Sequence, residues 1–212
     1  GRVVLCDDDR VEAANLHRQI LFDERDVGRD KLDAAFDTLR ARGGTARGLE
    51  RVHGRLLPDT ARALVQGVDV VLEGSDNFAT KFLAADACHL EQRAVVHGAA
   101  IRWHGTAWLV PPGGAPCYRC LFEDVPMGAQ EGCSEAGVMG PVVGVVGALM
   151  ADLALRWLTG DASAVGSIWS YDGKRDRLRD SAVPARPACP LCGQRQIAEL
   201  IESAYVSGIC TT

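Results

Sequence analysis

Two pairs of cysteines have the spacing of a metal site. They are Cys117 and Cys120 in "APCYRC" and Cys189 and Cys192 in "ACPLCG", each pair beside a proline. A Cys-x-x-Cys turn presents two thiolates, and two such turns close a tetrahedral cage with zinc–sulfur distances of about 2.3 Å. Four thiolates leave no open coordination position, so zinc there is structural. A second set of residues is acidic and basic. Asp7 and Asp9 follow the apolar run "RVVLC", and Asp76 follows "VDVVLEGS". Ligands of open parallel sheets bind beyond the carboxyl ends of the strands, where carboxylates can hold ribose hydroxyls and Mg²⁺. Lys31 falls in the first turn of an expected helix. The macrodipole disfavours a cation there by about 0.3–1 kcal/mol, and an anionic ligand reverses the sign. Arg18, in "NLHRQ", adds a guanidinium suited to bidentate phosphate contact. Each residue alone also has a plainer reading: Asp76 as a helix cap, Lys31 and Arg18 as solvated surface cations.

The bulk properties narrow the classes. The 212 residues suffice for one domain with a real core. A formal net charge of −5 argues against a nucleic-acid binder that works by phosphate neutralisation, while leaving room for a local cationic pocket. The longest uncharged run, Ala136 to Ala151, is broken by Gly and Pro and reads as too short to span a bilayer. No secretory h-region opens the chain. The chain is long and periodic where disulfide scaffolds are small and loop-rich, and four of its eight cysteines have zinc-site spacing, so a reducing cytoplasm fits better than a secreted disulfide scaffold.

Elements that could position these residues are legible in the periodicity. Val3 to Cys6 reads as a buried strand with acids at its carboxyl end. Leu32, Ala35, Phe36 and Leu39 recur at helical spacing up to Gly43 and Gly44. A weaker strand is expected at Leu49 to His53, a helix from about Pro58 to Gln66, and the strongest strand at Val68 to Glu73. A helix over roughly Asn77 to Glu91 and the strand "AVVHG" follow. This alternation predicts a largely parallel sheet covered on both faces. Beyond Ala100, "RWHGTAWLV" and "SIWSYDG…DRLRD" alternate like antiparallel strands around a long apolar helix from about Pro141 to Leu158. His97 and His104 read as strand residues with satisfied ring nitrogens.

The ordered blocks "LCDDDRVEAANLHRQ", "VGRDKLDAA", "EGSDNFATK", "HGAAIRWHG", "PCYRC", "CSEAGVMGPVVGVVGALMADLALRWL" and "CPLCG" resemble the ThiF/MoeB/HesA family of ubiquitin-activating-enzyme-like adenylyltransferases. The resemblance covers nearly the whole chain. It implies an α/β, Rossmann-like, mostly parallel sheet continuing into antiparallel strands, with a structural zinc site of four cysteines. It also implies a cytoplasmic enzyme that uses ATP and Mg²⁺ to adenylate the C-terminal glycine of a ubiquitin-like sulfur-carrier protein ending in Gly-Gly, releasing pyrophosphate. By this resemblance Asp7 holds the ATP ribose with Asp9 beside it, and Asn15, Arg18 and Lys31 contact the phosphates. Asp76 positions Mg²⁺ and the reacting groups; Cys117, Cys120, Cys189 and Cys192 hold Zn²⁺. Cys133 matches a cysteine that some members use in sulfur or thioester chemistry, and a bystander thiol is the alternative. A homodimer is implied as well, with no nucleic-acid or membrane partner. The family's strand, Gly-rich loop and helix before the position of Gly1 have no counterpart here. The reading is one ThiF-like domain over residues 1–212, N-terminally incomplete. The competing expectation is an inactive, zinc-stabilised carrier-binding scaffold.

Overall fold

A computed structural model describes residues 1–43, 48–126, 136–163 and 165–205. The chain forms two compact units, residues 1–56 and 57–212, each described by itself.

In the first unit, β1 (Val3–Asp7) pairs in parallel with β2 (Leu49–His53), with Asp7 opposite His53. Between them run 3-10 turns at Ala13–Asn15 and Glu24–Asp26 and the helix α1 (Lys31–Ala41). Asp30 caps α1, accepting from the backbone N–H of Leu32 at 2.9 Å and supplying one of the orphan donors of the first turn with a partner. Leu32, Ala34 and Ala35 form the buried face of α1. The expected burial of β1 is corrected. Val3 is 51% exposed, because β1 has a single strand neighbour among the described residues and α1 as its helical cover. A β-branched run records suitability for burial, not the presence of a cover.

The second unit begins with α2 (Pro58–Gln66) and contains a five-stranded sheet in sequence order. Strand β3 (Val70–Glu73) is parallel to β4 (Ala94–Ile101). Strands β5 (His104–Val110), β6 (Ser167–Asp172) and β7 (Arg177–Ala182) then add antiparallel, so the sheet is mixed. The helix α3 (Phe78–Leu90) joins β3 to β4 and is buried from Lys81 to Cys88. A short helix, α4 (Tyr118–Phe122), follows β5, and the 19-residue α5 (Gly140–Leu158) precedes β6.

The pairing register assigns the two faces of this sheet. Val96, Gly98, Ala107 and Leu109 share one face, which receives Val146, Met150, Leu153 and Ala154 of α5. Glu73, His97 and Trp108 lie on the other, toward Lys81 of α3 and Tyr118 of α4. Helix α5 runs on through Asp152 and Arg156, beyond the uncharged run, and is long and apolar enough to cross a membrane by length and composition. Its stripe at Val142, Val146, Met150 and Leu153 is nevertheless buried within the unit. Pro141 occupies its first turn. At its end Gly160, at φ 84°, donates to Trp157 O while Asp161 donates to Arg156 O, the paired bonds of a left-handed glycine cap.

Small residues let α5 approach the sheet. A Cβ at Gly105 would lie 2.3 Å from Val146 Cγ2, and a helical valine has essentially one rotamer to offer. Gly105→Ala is therefore expected to destabilise the unit by about 1–3 kcal/mol through overpacking. Gly144→Ala, within α5 where an added Cβ meets nothing, is expected to stabilise by about 0.5–1 kcal/mol. Urea denaturation midpoints of the two variants should move in opposite directions.

Candidate functional site

The first unit gathers charge at the carboxyl end of β1. Asp7 closes the strand and its Oδ1 accepts the Asp9 N–H at 2.8 Å. This side-chain turn brings the carboxylates of Asp7, Asp8 and Asp9 within 4.8 Å of one another. Lys31 is the first residue of α1. Its N–H donates to Asp9 O at 3.0 Å and its ammonium to Asp9 Oδ2 at 2.8 Å. Asp9 is thus the anion that offsets a lysine at the positive end of a helix. It also holds an ammonium only 11% exposed beside a carboxylate that is 55% exposed. Asp8 is engaged separately by Arg55 at 2.7 Å.

Asn15 and Arg18 form a second pair in the same unit. The Arg18 guanidinium donates to Asn15 Oδ1 and, at 3.3 Å, to Ala14 O. Its N–H closes the turn on Asn15 O at 3.1 Å. Among the described residues no bond joins this pair to Asp9 and Lys31. The sequence-predicted residues of this unit thus fall into two bonded groups, Asp7–Asp9–Lys31 and Asn15–Arg18.

Asp76 belongs to the second unit, in the turn between β3 and α3. It is exposed, and among the described residues none pairs with its carboxylate. The cap of α3 is Asn77, whose Oδ1 accepts from Thr80 N at 2.8 Å, so the cap reading of Asp76 falls away. Beneath this turn lies a buried cluster that the sequence reading overlooked. Glu73 Oε2 accepts from Lys81 Nζ at 2.9 Å and from His97 Nδ1 at 3.3 Å. Glu73 Oε1 accepts from both the N–H and the hydroxyl of Ser75, at 2.7 and 2.5 Å. Burial by itself would raise the Glu73 pKa; the Lys81 ammonium and the bonds from His97 and Ser75 outweigh it and bring the carboxyl down to about 2. Burial lowers His97, so the ring is neutral and donates from Nδ1. Lys81 is the fourth residue of α3, where Lys31 is the first of α1, so its position gave no comparable signal in the sequence.

His97 also corrects an expectation. Only one of its ring nitrogens is satisfied; buried Nε2 has no partner among the described residues, and neither has Trp108 Nε1. Both residues line a cavity of about 20 Å³ beneath Tyr118 and Phe122. That volume admits one water, able to accept from the indole and donate to the imidazole. His104 lies on β5 as expected, where it lines a pocket of about 410 Å³ with Arg175, Arg177 and Arg179. Asp172, which accepts from Arg175 at 2.8 Å, lines it as well.

The four paired cysteines converge. Their sulfurs all lie within 4.8 Å of one another, with Cys117 and Cys189 at 3.5 Å and Cys120 and Cys192 at 3.4 Å. Tetrahedral zinc with bonds of about 2.3 Å sets neighbouring sulfurs about 3.8 Å apart, so the cage fits the ion. The clustered thiols perturb one another: burial and the neighbouring sulfurs raise Cys117 and Cys192, while Cys189, despite burial, is lowered by the backbone N–H groups of Cys192 and Leu191 aimed at its sulfur. Zinc would bind all four as thiolates. A Cβ at Gly193 would meet Pro187 O at 2.3 Å, so the second turn closes only around glycine. Between the first two ligands Arg119 reaches back to α3, donating to both oxygens of Asp86 at 3.0 and 2.9 Å. Asp86 Oδ2 also accepts from Tyr205 at 2.8 Å. Cys133 lies outside the described residues. The other described thiols, Cys6 and Cys88, are raised by burial, Cys88 to about 12, and neither is poised as a nucleophile.

Two measurements check this geometry. Metal analysis should find one equivalent of zinc, lost in Cys117→Ser, and chelation should lower the melting temperature. Glu73 adds a pH dependence. Its contribution to stability is fully present above the ordinary carboxyl value of 4.5 and is lost as pH falls through about 2. Acid titration of the melting temperature should show this loss in the parent and a flatter curve in Glu73→Gln.

The chain is 35% identical over 208 residues to the SAMP-activating enzyme E1 of Haloferax volcanii, covering 97% of this chain and 76% of that protein. It is 37% identical over 210 residues to a sulfur carrier protein adenylyltransferase of Thermus thermophilus, covering 94% and 77%. Among solved structures the fold matches E. coli MccB, with a TM-score of 0.77 in its structure with MccA-N7isoASN and 0.75 in its structure with ATP. Identities there are 20% and 19%; the match covers 91% of this chain and 60% of the MccB chain. The ThiF family model matches residues 1–191, and the chain belongs to the ThiF family.

Proposed function

We propose that this protein adenylates the C-terminal carboxylate of a ubiquitin-like sulfur-carrier protein ending in Gly-Gly, with ATP as the nucleotide donor. The observation that carries the reading is the Asp7–Asp9–Lys31 group, in which a ribose-type acid and a phosphate-type cation stand together at the end of β1 and the start of α1. The SAMP-activating enzyme E1 at 35% identity and the sulfur carrier protein adenylyltransferase at 37% support it.

In this proposal a carboxylate oxygen of the carrier attacks the α-phosphorus of ATP. The bond to the β-phosphate oxygen breaks, pyrophosphate leaves with the electron pair, and the acyl adenylate remains. A carboxylate is a weak nucleophile facing a polyanion, so the barrier is lowered chiefly by preorganised positive charge. Asp7 accepts the ribose hydroxyls. Lys31 exchanges Asp9 for phosphate oxygens, a swap between two anions that needs no new burial of charge. Asn15 holds the Arg18 guanidinium toward the phosphates. Bound Mg²⁺ would neutralise charge on the phosphates, and Asp76, exposed and unpaired, is the carboxylate we assign to it. We assign residues 1–212 to one adenylyltransferase domain, acting as a homodimer. The cysteine cage holds shape and takes no part in the step. Cys133 is reserved for sulfur or thioester chemistry after activation.

ATP–pyrophosphate exchange by the full-length protein, dependent on a Gly-Gly-ended carrier, tests this directly. Lys31→Ala and Asp76→Ala should each lower the exchange rate by about 10²-fold or more. Absence of carrier-dependent exchange with every Gly-Gly-ended carrier tried would overturn the proposal.

A further inference from the structure

The exposed side chain of Asp76 has no partner among the described residues, so its placement is set by the backbone on either side. After it, Asn77 is fixed as the cap of α3. Before it, Ser75 is fixed twice, through its N–H and its hydroxyl, to one oxygen of Glu73. The other oxygen of Glu73 cannot move independently. It accepts from Lys81 of α3 and His97 of β4, and Lys81 Nζ donates onward to Gly98 O at 2.6 Å. The Glu73 side chain is 4% exposed, and those of Lys81 and His97 are 7% and 5%. A rotation that released Ser75 would leave a buried ammonium unpaired, which is strongly disfavoured.

We propose that Glu73 is a positioning residue for Asp76, acting through Ser75 and held in place by Lys81 and His97. This inference rests on the role assigned to Asp76 above. A buried ion pair gives little stability beyond what an apolar replacement of the same volume would give. Here it gives a fixed carboxylate under a turn whose next residue carries the functional acid. Reactive geometry is sensitive on this scale, since a misplacement of about 1 Å costs about 10²-fold in rate. Ground-state binding of ATP is assigned to Asp7, Arg18 and Lys31 of the first unit, so loosening the Asp76 turn should act on the catalytic step.

The test uses carrier-dependent exchange with kcat and the KM for ATP measured separately, on variants shown to be folded by circular dichroism and thermal melting. Ser75→Ala removes the hydroxyl anchor and should lower kcat by about 10-fold, with KM for ATP within about 2-fold of the parent. Ser75→Thr, which keeps the hydroxyl, should restore it. Glu73→Gln should lower kcat further; if that variant does not fold, the Ser75 series decides. The double variant Ser75→Ala/Asp76→Ala should be no slower than Asp76→Ala alone, because residues acting as one unit are not additive. Parental kcat in folded Ser75→Ala, or a double variant slower by the product of the two single effects, would overturn the inference. Full exchange in Asp76→Ala would instead remove the assignment of Asp76, and with it the reason for positioning it.

Discussion

The second unit is organised around one buried carboxylate. Glu73 ends β3, and its two oxygens bind donors from the following turn, from α3 and from β4. Taking a carboxylate and an ammonium out of water is expensive, and only a set of well-placed partners offsets it. The consequence is geometric: β3, α3 and β4 cannot shift against one another without stranding a charge. Around this constraint the apolar packing is less exacting, since a side chain such as Met150 can adjust its shape.

On the opposite face of the sheet, the limit is volume rather than charge. Gly98, Ala107 and Gly105 keep the surface low where α5 crosses, and Val142, Val146, Met150 and Leu153 fill the space. The result is a helix apolar along most of its length, with only one stripe used internally. Leu155 and Leu158 remain more than half exposed. The composition of α5 by itself therefore says little about which side is covered.

The cysteine cage does for the loops what Glu73 does for the sheet. Segments far apart in sequence meet there: the turn at Cys117, the turn at Cys189, and, through Arg119 and Asp86, helix α3 and the segment around Tyr205. Beside the four thiols, Arg119 grips Asp86 through parallel bonds, and Tyr118 and Leu191 are buried at the same place. This region is shape-determining, and the candidate chemistry lies elsewhere, on Asp7, Asp9 and Lys31 in one unit and Asp76 in the other.

Local features were legible without coordinates because they depend on near neighbours in the chain. The boundaries of β2 and α2 follow from composition and caps, Pro141 and Gly160 bracket α5, and Cys-x-x-Cys spacing announces a thiolate turn wherever it folds. Lys31 at the start of α1 was equally readable, since helix periodicity alone places it there. Partnership across the fold was not. No pattern shows that Asp9 rather than solvent holds Lys31, that Glu73 meets His97 across a strand pair, or that His97 keeps one nitrogen facing a small cavity. Nor does a β-branched run at Val3 to Cys6 reveal that its strand stays partly exposed. Sequence determined which segments are helix or strand and which residues can bind metal or phosphate. Tertiary structure alone decided which charges are buried together, because burial and its compensation arise only when distant segments exclude water from the same place.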